Sequence, residues 1–308
     1  MTRRHNATLM RKQFSGWLFL LLALCLVGSI LDVDRGLAQE GKSFLWKVQS
    51  KTSTLYLLGS IHFLKQENYP LNPVIEKAFA QSSYLVVEAD VSDPGKLKIE
   101  TLLPKALYPD NDTLQNHVSA QTYELVQKET GKLGLPLELV ARQKPWFLAL
   151  TLEALELARL GFDPAHGIDS YFLSKAQGSK KILELESIDQ QISLLSGLPD
   201  KDQELFLVYT LKDLNVLDEE TASLVKAWST GNANQLEAIM TKAIKEDRRL
   251  EPIFKRLLED RNKGMVSTIE GYLKTKESYL VVVGAGHLVG DRGIVRLLKE
   301  KGYTVEQF

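Results

Sequence analysis

Cysteine is almost absent from this chain. The 308 residues hold one, Cys25, and it lies inside an N-terminal apolar run. Beyond that run there is no thiol for a disulfide, a thiolate metal ligand or a cysteine nucleophile. Excess charge is absent too: the formal net charge is −1, and Lys and Arg are spread without a basic stripe. A nucleic-acid partner is therefore not expected. No low-complexity linker divides the chain, which favours one domain over two independent ones. With 44% hydrophobic residues the composition is that of an ordinary globular protein, long enough to bury a core without cross-links.

Long apolar runs are likewise missing, with one exception. Trp17 to Val27 is unbroken apolar sequence, preceded by Arg3, Arg4, Arg11 and Lys12 and stopped by Asp32, Asp34 and Arg35. A basic flank, a short apolar core and a small-residue exit at Gly36-Leu37-Ala38 describe a signal peptide over residues 1–38, cleaved near Ala38. The protein is then expected to be exported, either periplasmic or secreted. An uncleaved membrane anchor is the alternative, although the run is short of the ~20 residues that span a bilayer. Leu22-Ala23-Leu24-Cys25 echoes a lipoprotein box, but Leu24 is too large for the residue before a lipidated cysteine.

What the rest contains is organised around two matching stretches. Tyr279 to Val283 is an apolar strand that runs into Gly284-Ala285-Gly286-His287. Near the start, Thr54 to Leu58 is a strand that runs into Gly59-Ser60-Ile61-His62. Each is followed by a helix and another strand. Asn72-Pro73 opens the first helix, with Val74, Ala78 and Phe79 as its inner stripe, before a strand from Ser83 to Val87 that ends at Glu88. Arg292 to Lys301 forms the second helix, before a strand from Tyr303 to Val305. Ser43 to Val48 pairs with the Thr54 strand as a hairpin.

Helix-rich sequence fills the middle. Gln143-Lys144-Pro145-Trp146 opens a long helix to about Leu160, with Leu148, Leu152 and Leu155 at helical spacing. Gly167-Ile168-Asp169 precedes a helix through Lys175, and Lys180 to Leu185 is a strand ending at Glu186. Ser187 can cap the helix that carries Gln191. From Lys201 to Tyr272 run successive helices, broken near Asn215, Gly231 and Arg249. The expectation is a single α/β domain over residues 39–308: a central mixed β-sheet, strand-GxxH units at both ends, and a large helical insertion at about 95–275.

His62, Glu88, Glu186 and His287 each stand at or just beyond the end of a predicted strand. In open α/β sheets, ligands bind outside the carboxyl ends of strands. If these strands are parallel neighbours, all four side chains meet on one edge. Two imidazoles with one or two carboxylates suit Zn, Mn, Co or Fe. Gly59 and Gly284 would let backbone or ligand come close. Simpler readings stand beside these. Glu186 competes with Glu184 for the same face, Asp169 suits a plain helix cap, His166 sits in a loop expected to be exposed, and His117 has no evident partner. Ser60 lacks the surroundings of a nucleophile elbow. Gly284-Ala-Gly lacks the third glycine of a dinucleotide fingerprint, Val289 standing there.

Taken together and in order, Gly59-Ser-Ile-His62, Val87-Glu88-Ala-Asp90, Lys144-Pro145-Trp146, Gly167-Ile-Asp169-Ser-Tyr171, Leu185-Glu186-Ser187 with Gln191, Arg261-Asn262 and Gly284-Ala-Gly-His287-Leu-Val-Gly290 resemble the TraB/GumN family. The resemblance covers about residues 43–308. That family is similar to the Tiki metal-dependent proteases and is grouped with erythromycin-esterase-like and haem-binding relatives. The resemblance implies a divalent ion (Mn, Co or Zn) at His62, His287 and Glu88, with Glu186 as general base. It implies Arg261 as an oxyanion donor, and Asp169, Gln191 and Asn262 as supports. The expected activity is metal-assisted hydrolysis of a peptide or protein substrate. A binding module for peptide or haem without turnover, and an ester hydrolase, are the rivals.

Overall fold

The computed structural model describes residues 42–308. The expected signal peptide and Cys25 lie outside the described residues. Among those described, no helix is long and apolar enough to cross a membrane.

The strands are β1 (Leu45–Gln49), β2 (Thr54–Ser60), β3 (Tyr84–Val87), β4 (Lys181–Glu184), β5 (Tyr279–Gly284) and β6 (Thr304–Gln307). They form one mixed sheet in the order β4-β3-β5-β2-β1-β6. β4, β3, β5 and β2 run parallel; β1 pairs antiparallel with β2, and β6 pairs antiparallel with β1. The hairpin of β1 with β2 and the presence of a C-terminal strand are thus as the sequence implies, and that strand pairs with β1. All six residues of β5 are buried, as is every residue of β2 after Thr54. That is why these strands read as continuous apolar runs rather than as alternating ones.

The helices are α1 (Pro73–Gln81), α2 (Ile99–Ala106), α3 (Ala120–Lys132), α4 (Pro145–Arg159), α5 (Ile168–Ala176), α6 (Ile188–Ser196), α7 (Asp200–Asp213), α8 (Leu217–Ser229), α9 (Ala233–Glu246), α10 (Glu251–Phe254), α11 (Asp260–Leu273) and α12 (Ile294–Glu300). Local sequence sets the starts. The Asn72 side chain caps α1 by accepting from the Val74 amide, and Pro73 occupies the first turn. Ser187 and Gln190 form a reciprocal capping box on α6. The inner face of α1 is Ile75, Ala78 and Phe79, at i, i+3 and i+4, and Val74 stays only half-buried.

Two hydrophobic clusters result. One surrounds the sheet and takes residues from α1, α5, α8, α9, α11 and α12. The other gathers α2, α3, α4, α6 and α7 around Trp146, Leu148, Phe206 and Leu207. β4 lies in the middle of the stretch read as an insertion, yet it joins the sheet beside β3. The helical sequence is thus two segments that leave the sheet and return to it.

Between α10 and α11 the helix does not stop. Lys255–Glu259 forms a single wide π-type turn. Such turns insert an extra residue into a helix and re-aim the side chains that follow. Arg261 and Asn262 are the first buried residues beyond it.

A candidate two-histidine site at the strand ends

The sheet order decides where the functional side chains meet. Across the four parallel strands, β4 leads to Glu186, β3 to Glu88, β5 to His287 and β2 to His62. Pairing persists past the strand ends, since the Glu186 amide donates to the Glu88 carbonyl at 2.8 Å. The four residues therefore share one carboxyl edge, as the sequence implies. A Cβ built on Gly284 would lie 3.8 Å from His62 Nε2, 3.6 Å from His287 Cδ2 and 3.2 Å from Glu88 Oε1. Histidines 225 positions apart in the chain thus approach the same point.

Each ring is oriented from behind. His62 Nδ1 stands 2.7 Å from Asp169 Oδ1, which also accepts from Ser60 Oγ at 2.7 Å. A carboxylate only accepts, so His62 Nδ1 carries the proton and Nε2 is left for the cleft. Asp169 is therefore more than a helix cap. His287 Nδ1 stands 2.6 Å from Asn262 Oδ1. The Asn262 amide is turned that way because its Nδ2 donates to the Arg292 carbonyl at 2.8 Å. His287 Nδ1 is then the donor, and Nε2 is a lone pair. His287 is 2% exposed, and its Nε2 has no hydrogen-bond partner. Asp169 and Asn262 each hold the Nδ1–H of a ring and leave its Nε2 free, that of His62 beside the cleft and that of His287 3.6 Å from Glu88 Oε1, the arrangement that orients metal-binding histidines.

Between them lies Glu88, 7% exposed. Its Oε1 accepts the Gly284 amide and stands 3.6 Å from His287 Nε2. Its Oε2 accepts from Arg261 Nη2 and, at 3.3 Å, from Gln191. Arg261 also grips Glu186, through Nε at 3.0 Å and Nη2 at 2.8 Å, while Nη1 donates to the Leu257 carbonyl at 2.9 Å. Four of its five N–H groups are engaged in this way. Glu184 does not compete with Glu186: it accepts the Asp90 amide at 2.6 Å and pairs with Lys96 at 2.7 Å.

The surroundings set the charges. Burial works against a charged His62, but the Asp169 carboxylate outweighs it and raises the ring to about 9. Burial lowers His287 to about 3, with Arg261 and His62 adding to the drop and Glu88 opposing it. Burial alone would raise Glu88, but the neighbouring His287, Arg261 and His62 hold it at about 2. The donor chemistry suits a divalent cation, and the cleft among Ser60, His62, Glu88, Asp169 and Gly284 encloses about 20 Å³. By volume that is room for about one water molecule or one ion. As the side chains stand, no group of three or more His, Cys, Asp or Glu among the described residues is arranged to hold an ion.

Two participants, Ser60 as a support and Trp228, escape a sequence reading. Ser60 supports Asp169 rather than attacking a substrate. The Trp228 indole donates to the Gly59 carbonyl at 2.7 Å, pinning α8 onto the first histidine turn from 169 residues away. Gly59 itself leaves no room, since a Cβ there would fall 2.4 Å from the Phe44 ring and 3.1 Å from Ala285 Cα. The other two histidines among the described residues stand apart. His166 is half-buried, not exposed, with its ring 6.3 Å from Tyr69. His117 stacks on Tyr108 at 3.9 Å and bonds Asp112 at 2.6 Å.

Fold and site together describe an α/β protein with two oriented imidazoles and two Arg-clamped carboxylates at the carboxyl edge of a mixed sheet. The chain belongs to the TraB/PrgY/gumN family, whose model matches residues 44–307. It is 26% identical to the uncharacterized protein YbaP of Escherichia coli (strain K12), over 85% of this chain and 96% of that one. It is 23% identical to metalloprotease TIKI2 of Danio rerio, over 94% of this chain and 67% of that one. Metalloprotease TIKI1 of Homo sapiens is also 23% identical, over 94% of this chain and 68% of its own. No solved structure matches the chain.

Proposed function

We propose that this protein is an exported, metal-dependent hydrolase that acts on peptide or protein substrates. The carrying observation is the pair of oriented imidazoles, His62 and His287, which approach one point at Gly284: His62 lines an ion-sized cleft with Glu88, and His287 Nε2, buried without a hydrogen-bond partner, stands 3.6 Å from Glu88 Oε1. The metalloprotease names of relatives that align with most of this chain support the same reading. So does the charge count. Three carboxylates (Glu88, Asp169 and Glu186) face one guanidinium, so with both imidazoles neutral, as metal ligands must be, two negative charges are left for a divalent cation.

His62, His287 and Glu88 Oε1 would hold a divalent ion, Mn, Co or Zn. When bound, the ion supplies Lewis acidity and lowers the pKa of water toward ~7. The chain's own residues do the rest. Asp169 and Asn262 fix both ring tautomers. Gly284 N–H and Arg261 hold the two oxygens of Glu88 apart. Glu186 has the more open side chain, at 14% against 8% for Glu88, and takes a proton from the attacking water and returns it to the leaving amine. Arg261 positions both carboxylates, and its one remaining N–H, on Nη1, would be the donor to a developing oxyanion.

The test is cleavage of a peptide library by metal-stripped protein with Mn, Co or Zn added back. Cleavage should need metal and fall by about 100-fold or more in His62→Ala and in His287→Ala, since even supporting residues of metal sites are typically worth 10–100-fold. Cleavage indifferent to metal, or surviving both substitutions, would contradict the reading. Peptide capture without turnover is the second reading, favoured by the grip of Arg261 on Glu88 Oε2. Binding that survives His287→Ala with no cleavage under any condition would establish it.

A further inference from the structure

Behind the His287 turn lies a second cavity, of about 230 Å³. It is too small for a drug-sized ligand, whose pockets start at roughly 300 Å³. It is larger than the ~150 Å³ apolar cavity that accepts a benzene ring. A single large side chain is the right size. Its walls come from α9, the end of α10, the wide turn at Lys255–Glu259, the start of α11, and the turn and loop around His287. Met240, Ile244, Phe254, Leu258 and Val289 make the apolar surface.

Two features tie this cavity to the histidine edge. Asn262 lines it, and the same side chain accepts from His287 Nδ1 at 2.6 Å. Gly286 lines it too, within the turn from Gly284, at the cleft, to His287. The π-type turn explains the layout: Leu258 and Glu259 come from the turn itself, while Arg261 and Asn262 just beyond it reach the carboxylates and His287. The polar lining is lopsided. Glu237, Glu259 and Asp291 contribute three carboxylates against one guanidinium, that of Arg292.

We infer that this cavity is a side-chain subsite. It receives one large apolar residue, of the Leu or Phe kind, from a peptide whose backbone lies along the histidine edge, and its acidic lining favours Lys or Arg beside that residue. The inference rests on the peptide reading above and deepens it. A hydrophobic subsite supplies shape selection through burial, and a charged lining supplies partner choice that salt screens.

The experiment uses the full chain and Ala-based decapeptides with Leu, Phe or Ala at the centre and Lys or Glu on either side. Binding is read by fluorescence anisotropy without metal, and cleavage with metal. Leu and Phe peptides should bind about 10-fold or more tightly than the Ala peptide, in line with the roughly 10–200-fold that apolar pockets discriminate. Lys flanks should outdo Glu flanks, and 0.5 M salt should shrink that gap. Ile244→Trp fills the cavity and should bring the Leu and Ala peptides to within about 2-fold of each other. If its melting curve shows that it does not fold, Thr241→Trp blocks the same cavity from α9. Equal binding of Leu and Ala peptides to the wild type overturns the inference, as does no binding of any peptide. A preference that persists in the folded blocking variant also overturns it. Selective binding without cleavage sinks the hydrolase reading and leaves the subsite standing; cleavage without side-chain preference does the reverse.

Discussion

His62 and His287 occupy the same place in two copies of one local pattern, yet their surroundings leave them in opposite states. Both follow a buried parallel strand and a glycine turn, and both rings come close to Gly284 and Glu88. Behind His62 stands the Asp169 carboxylate; behind His287 stands the neutral amide of Asn262. His62 is raised to about 9 because Asp169 outweighs burial, while burial takes His287 down to about 3. The strand and glycine pattern therefore fixes where a histidine goes. The partner that a distant helix delivers, α5 for one and α11 for the other, fixes which protons it keeps.

The signs follow. The pKa of His62 lies above its usual 6.5, so it adds stability that is full below that pH and is lost as the pH climbs toward 9. The pKa of His287 lies below 6.5, so stability is lost as the pH falls from there toward 3, because only the unfolded chain takes up that proton.

The largest expected effect comes from exchanging the partners. Asn262→Asp should raise the His287 pKa and make its behaviour approach that of His62. Asp169→Asn should lower the His62 pKa and weaken metal binding by about 10–100-fold. Histidine NMR titrations and metal competition assays read these out; unchanged pKa values in either variant would break the comparison. The two glycines come next. Gly59→Ala drives a methyl into the Phe44 ring and beside Ala285, and should cost about 1–3 kcal/mol in urea denaturation, as overpacking does. Gly284→Ala meets Glu88 Oε1 at 3.2 Å, so it should cost about 1 kcal/mol or less, at the edge of that overpacking range, and shift Glu88 instead. Equal costs would mean that the two turns are not packed differently. Trp228→Phe comes last, with an effect of the same size as Gly284→Ala. It removes the hydrogen bond to Gly59 O and should cost about 1 kcal/mol, with His62 more perturbed than His287.

Much of the sheet and its edge was legible because strand runs, glycine turns and caps are local. Apolar runs ending in Gly59 and Gly284, with Glu88 and Glu186 past the next strands, locate four residues once the strands are parallel. Helix breaks near Asn215, Gly231 and Arg249 fall in the gaps between α7, α8, α9 and α10. What stayed hidden depends on packing between distant segments. Asp169 reads as a cap, and only the docking of α5 against the first histidine turn, with the Ile168 amide donating to the Ile61 carbonyl at 3.0 Å, brings it to His62. Trp228 and Ser60 carry no local signal at all. The choice between Glu184 and Glu186 was made by Arg261, a residue 75 positions from Glu186.

The measurement that bears most directly on the paired site is ring-nitrogen NMR of His62 and His287 in metal-free protein at pH 7. His287 should be neutral, with the proton on Nδ1 and Nε2 bare, while His62 carries both protons until the pH approaches 9. Two rings titrating together near the ordinary 6.5 would contradict it, because neither Asp169 nor Asn262 would then be setting the state of its histidine.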